Sequence, residues 1–240
     1  PIVVDINGDG LNDLVLVNNR KSRIELLLQK NDWNPDKIVV PEPEDDVNDQ
    51  FGKEATWRFD RVSYTLDVAA AALLVRDVDG DKRPDLVYHD HGAGLLVAMQ
   101  VKPEAREGGP TEPRFAPPIR IEVPDGLAGQ DALAAGDLNG DGKLDMAVLT
   151  AKGPCIIRGK EDGTFSRPER FAGGGARLTR MEVADLNGDS RSDLVLHDSG
   201  SDEPIRVRYQ TARGQLGPEV SYEMPAPRSF ALSNLGRNRV

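Results

Sequence analysis

Residues 137–149 read Asp-Leu-Asn-Gly-Asp-Gly-Lys-Leu-Asp-Met-Ala-Val-Leu, and the reading of the first nine decides the rest of the chain. Side-chain oxygens stand at positions one, three, five and nine, glycines at four and six, and an apolar run follows at once. The pattern occurs three more times, as Asp5-Ile-Asn-Gly-Asp-Gly-Leu-Asn-Asp13, Asp77-Val-Asp-Gly-Asp-Lys-Arg-Pro-Asp85 and Asp185-Leu-Asn-Gly-Asp-Ser-Arg-Ser-Asp193. Self-similarity of this kind marks a repeat architecture.

Each loop is followed by an apolar run: Leu14 to Val17, Leu86 to Tyr88, Met146 to Leu149 and Leu194 to Leu196. Runs rich in small or branched residues precede three of them, at 69–75, 132–136 and 178–184. Such lengths, bounded by turn residues, predict strands rather than helices, with the loop joining two strands of a hairpin. A third apolar segment follows at 24–28, 95–101, 155–158 and 205–209. Next comes an aromatic residue or Leu shortly before a proline (Trp33, Phe115, Phe165, Leu216), and then a fourth segment at 38–40, 119–123, 169–171 and 219–222. Four strands in about 50 residues is the size of a propeller blade. The second strand is apolar on successive residues, which predicts burial on both faces, as when blades stack.

The expected fold is therefore all-β, a β-propeller of four-stranded antiparallel blades. Blade one takes residues 1–40, an insertion 41–65, blade two 66–124, blade three 125–172 and blade four 173–225. Residues 226–240 begin a fifth blade, whose loop, Asn234-Leu-Gly-Arg-Asn-Arg-Val240, has no carboxylate and predicts no metal. The first residue is Pro1 and the pattern stops mid-blade, so a longer protein supplying the remaining blades is expected.

Calcium is a hard cation that takes six to eight oxygens. Oxygens at alternate positions of a tight loop converge on one point, and glycines at four and six allow the backbone to curl around it. The predicted side-chain ligands are Asp5, Asn7, Asp9 and Asp13; Asp77, Asp79, Asp81 and Asp85; Asp137, Asn139, Asp141 and Asp145; and Asp185, Asn187, Asp189 and Asp193. Backbone carbonyls at position seven, from Leu11, Arg83, Lys143 and Arg191, would complete each set, giving about four Ca²⁺. Lys82 and Ser190 replace the glycine at position six, which predicts strain in loops two and four. An ordinary Asp-Gly turn explains one Asp and one Gly, not acids at one, five and nine in four copies. An EF-hand needs a carboxylate at position twelve and an exiting helix. Here position twelve is Leu16, Tyr88, Val148 or Leu196, inside a predicted strand.

The loops also explain the charge. The formal net charge is −10, and thirteen of the forty carboxylates lie in the four loops. Four Ca²⁺ would bring the total to about −2. An acidic chain does not suit nucleic acid, whose phosphates require a basic face. No apolar run reaches the roughly 18 residues of a membrane span. Cys155 is alone, so no internal disulfide forms, and it reads as a buried strand residue.

Asp-x-Asn-Gly-Asp-Gly-x-x-Asp followed by an apolar run, with Gly163-Thr-Phe-Ser-Arg-Pro168 between copies, resembles the FG-GAP/VCBS repeat family, which includes the integrin α-chain propeller. The resemblance implies a ring of typically seven blades with Ca²⁺ between the first two strands of a blade. It also implies a place outside the cytoplasm: extracellular, cell-surface or periplasmic. The expected role is a binding or adhesion module for protein or glycan rather than an enzyme. The alternative is the propeller of a carbohydrate-active enzyme such as a polysaccharide lyase. His89-Asp90 and His197-Asp198 occupy equivalent positions, with His91 nearby, and read as polar strand ends rather than a catalytic pair. The aromatics and arginines of 41–65 read as packing of the insertion onto the blade edge, and a binding loop is the other reading.

Overall fold

The computed structural model describes residues 1–31, 58–90, 94–102, 112–171 and 177–225. They are all-β: four four-stranded antiparallel sheets and a two-stranded ribbon, with one short 3-10 turn at Gln130–Ala132. The chain divides into two compact units, one of Pro1–Asp67 with Pro103–Pro113, the other of Val68–Lys102 with Arg114–Val240.

The first unit carries one sheet: β1 (Ile2–Val4), β2 (Asp13–Asn18), β3 (Arg23–Gln29) and β4 (Phe59–Thr65), in that order. Its fourth strand corrects the expectation that 41–65 is an insertion beyond a blade ending at residue 40. Seven successive pairs, from Arg23 with Thr65 to Gln29 with Phe59, zip β4 onto β3. The physical reason lies in its pattern. Val62 and Tyr64 are half-buried between exposed Arg61, Ser63 and Thr65, the alternation of a strand with one wet face. The segment 38–40, expected to fill this place, lies outside the described residues, as do 41–57 and the fifth-blade segment 226–240.

The second unit carries three sheets. The first consists of β5 (Ala70–Arg76), β6 (Asp85–Asp90), β7 (Gly94–Ala98) and β10 (Ile119–Glu122). Between β7 and β10 the chain forms the ribbon β8 (Gln100–Val101) with β9 (Arg114–Phe115). The next sheet is β11 (Leu133–Gly136), β12 (Asp145–Thr150), β13 (Gly153–Ile157) and β14 (Glu169–Arg170). The last is β15 (Leu178–Ala184), β16 (Asp193–Asp198), β17 (Ile205–Gln210) and β18 (Leu216–Tyr222).

In each of these sheets the second strand is buried at every residue. Alternation explains why. On β12, Met146 and Val148 join Val87, Leu95 and Val97 of the preceding sheet in one cluster. Ala147 and Leu149 turn the other way, into a cluster with Met181, Leu194 and Leu196 of the following sheet. Along β13 the same division sends Cys155 and Ile157 to one side and Ile156 to the other. Each large aliphatic side chain buried this way contributes about 1.5–3 kcal/mol. Cys155 is one of these core residues, and burial raises its thiol pKa.

Candidate metal centres

The four hairpin loops close in one register. The residue before position one pairs with position nine: Val4 with Asp13, Arg76 with Asp85, Gly136 with Asp145 and Ala184 with Asp193. Eight residues thus project from the sheet edge each time. They curl because positions four and six both take positive φ, from 66° to 88°. Six of these eight positions are glycine; Lys82 (φ 70°) and Ser190 (φ 66°) carry the strain predicted for loops two and four.

The carboxylate at position one gathers the loop. Asp5 accepts the N–H groups of Gly8 at 2.8 Å and Gly10 at 2.9 Å. Asp77 does the same for Gly80 and Lys82, Asp137 for Gly140 and Gly142, and Asp185 for Gly188 and Ser190. The Ser190 N–H, with those of Gly188 and Asp189, holds the Asp185 carboxyl below the ordinary carboxylate range. Position three accepts the N–H of position five at 2.9–3.0 Å in all four loops, through Asn7, Asp79, Asn139 and Asn187. Position five accepts the N–H of position seven at 2.8–3.0 Å, through Asp9, Asp81, Asp141 and Asp189.

Position nine differs in kind. Asp13, Asp85, Asp145 and Asp193 are fully buried. One oxygen of each accepts the N–H of position two (Ile6, Val78, Leu138, Leu186) at 2.9–3.0 Å. The other accepts the N–H of Gln29, Gln100, Gly159 or Gln210, just past or at the end of the third strand, at 2.7–3.0 Å. The sequence reading took position nine only as a ligand; its part in tying loop to sheet was missed.

This donor set fits a hard divalent cation. Carboxylate oxygens of Asp77, Asp79 and Asp85 lie within 4.8 Å of one another. Burial pushes the Asp85 carboxyl up to about 6 and raises those of Asp13, Asp79 and Asp145, with neighbouring loop acids adding to the rise at Asp13, Asp79 and Asp85. A site that makes its own carboxylates reluctant to ionise is one that a cation relieves. Position-seven residues Leu11, Arg83, Lys143 and Arg191 sit on the same loops.

Residues 137–196, from the first Asp of loop three to Leu196 in β16, match the FG-GAP-like repeat family. That segment is FG-GAP-like. No curated protein matches it significantly. Among solved structures, an Agrocybe aegerita lectin, described as recognising non-reducing terminal N-acetylglucosamine, superposes with a TM-score of 0.51 at 19% identity. The match covers 91% of this chain and 50% of the lectin chain, so the chain spans half the length of that relative. The likeness is one of fold. The matched FG-GAP-like segment contains two of the four loops, and the other two repeat its register and hydrogen bonds.

The two His-Asp pairs lie within sheets. His89 and His197 are buried, and a β-carbon on Gly126 would fall 2.3 Å from His89 Nε2. His197 Nδ1 shares a 2.9 Å hydrogen bond with Thr179 Oγ1. Asp90 accepts the Gly94 N–H and pairs with Arg120, and Asp198 pairs with Arg206 at 3.0 Å. These acids brace hairpins. His91 lies outside the described residues. Among the described residues no helix is long and apolar enough to cross a membrane.

Proposed function

We propose that this chain is part of a calcium-stabilised FG-GAP propeller that works outside the cytoplasm as a binding or adhesion module for protein or glycan. The observation that carries the reading is the fourfold loop, in which oxygens at positions one, three, five and nine recur in one register with one hydrogen-bond scheme. Asp5, Asn7, Asp9 and Asp13 and their counterparts would hold about four Ca²⁺, with the position-seven carbonyls. The ion's role is structural: it neutralises acids that repel one another and locks the first hairpin of each blade. Millimolar calcium outside the cytoplasm suits loops of this openness, whose affinities run to about 10⁻⁴–10⁻³ M in extracellular modules.

In this reading blades two, three and four span 66–124, 125–172 and 173–225. Blade one takes its outer strand from Phe59–Thr65, residues 226–240 open a fifth blade, and the parent chain supplies the rest. Half-coverage of the lectin supports a larger parent. That lectin's specificity makes glycans ending in N-acetylglucosamine the first ligands to try.

Thermal unfolding with EDTA and with millimolar calcium tests the metal reading. Ligand at 100 times its dissociation constant adds about 2.7 kcal/mol per independent site, which raises the melting temperature by many degrees. An unchanged melting temperature overturns it. A glycan array probed with the calcium-loaded chain then tests the binding role.

A further inference from the structure

Position five is held alike in all four loops on one oxygen and differently on the other. In loops one and three the second oxygen accepts from the neutral amide at position three, Asn7 Nδ2 to Asp9 at 3.0 Å and Asn139 Nδ2 to Asp141 at 2.9 Å. In loops two and four it meets a guanidinium from position seven: Arg83 pairs with Asp81, and Arg191 with Asp189. Each arginine is also anchored behind. Arg83 Nε donates to the carbonyl of Gln100 at 3.3 Å and Arg191 Nε to that of Gln210 at 3.1 Å. These are the residues whose N–H groups hold the position-nine carboxylates. Loop three receives its guanidinium elsewhere: Arg158 reaches buried Asp145 at 2.8 Å. Among the described residues, loop one has no ion pair to any of its carboxylates.

The loops therefore differ in uncompensated charge. Loop one keeps three carboxylates and loop two four against one guanidinium. Loops three and four each set three carboxylates against one guanidinium. Lys82 and Lys143 are exposed and pair with no loop carboxylate, so water screens them. Affinity at such sites follows ligand charge and rigidity, and a fixed cation a few ångströms away opposes a second one.

We propose that Arg83, Arg158 and Arg191 are built-in counter-cations that grade the four loops for calcium. Loops one and two, which keep the larger uncompensated negative charge, are the tighter sites, and loops three and four are the weaker ones. This rests on the calcium reading given above.

The test is calorimetric titration of the whole chelator-stripped chain with calcium chloride alone. The wild-type chain gives two classes of site, two tight and two weaker. Arg191→Gln moves one weak site about tenfold tighter, so that three sites are tight. Lys160→Gln, which removes the same charge from an exposed residue outside the loops, leaves the classes unchanged. Should Arg191→Gln not fold, Arg83→Gln must tighten loop two by a similar factor. Four equivalent sites, or an Arg191→Gln isotherm unchanged or weakened, overturn the grading while leaving the calcium reading intact. No bound calcium at all overturns both.

Discussion

The carbonyl oxygen of Asn139 stands 2.0 Å from the point that a β-carbon on Gly214 would occupy. Gly214 lies in the turn between β17 and β18 with φ 69°, so both its backbone angle and its neighbour require a bare α-carbon. Beside it, Gln210 Nε2 donates to the Asp137 carbonyl at 2.8 Å. The turn of one sheet thus braces the Asp137–Asp145 loop of the sheet before it. Gly214→Ala is expected to cost about 2–3 kcal/mol and to weaken calcium binding at loop three. Urea unfolding with and without calcium reads both. A variant as stable as wild type would mean that the turn does not brace the loop.

Ser190 and Lys82 make the opposite prediction. Both are exposed, both occupy left-handed backbone, and each gives the loop only its N–H, to Asp185 and Asp77. Glycine keeps that bond and removes the strain. Ser190→Gly should stabilise by about 1 kcal/mol, or about 2–4 °C in melting temperature for a chain of this length. A loss of stability would show that the side chain makes a contact of its own.

The four loops were legible because their chemistry and their turn geometry coincide within nine residues. The inner strands were legible because β6, β12 and β16 are apolar on both faces. β4 was not. Its partner β3 lies some thirty residues upstream, and its alternation of Val62 and Tyr64 with polar residues is weaker than the apolar run at 38–40 that competed for its place. The arginines at position seven were read only for their carbonyls, since nothing local says where a long side chain ends. The role of Asp13 and its counterparts as ties to the third strand is likewise non-local, resting on residues 14 to 17 positions downstream.

Tyr209 and Tyr222 share a hydroxyl–hydroxyl bond of 2.6 Å across β17 and β18. That bond, aided by burial, pushes the Tyr209 phenol up to about 12. The neutral form is favoured in the fold, so the contribution is whole below the ordinary tyrosine value near 10 and is lost as pH rises from there through about 12. Absorbance at about 295 nm should show a late-titrating phenol that Tyr222→Phe returns toward 10. Superimposable titrations of the two proteins would remove the pair from the account.

Loop one separates scaffold from ligand, because no guanidinium is paired with its acids among the described residues. Asp13 is buried and satisfies the N–H groups of Ile6 and Gln29. Removing it takes away the acceptor of one buried and one half-buried N–H, at about 1–3 kcal/mol each. Asp9 is exposed and accepts only the Leu11 N–H and the Asn7 amide. In EDTA, then, Asp13→Ala should melt several degrees below wild type while Asp9→Ala stays close to it. In calcium the order of effects changes. Asp9→Ala should lose the stabilisation that loop one draws from its ion, and calorimetry should count one ion fewer. If Asp9→Ala instead binds as many ions as wild type with unchanged affinity, position five is not a ligand, and the loop is held together by its hydrogen bonds alone.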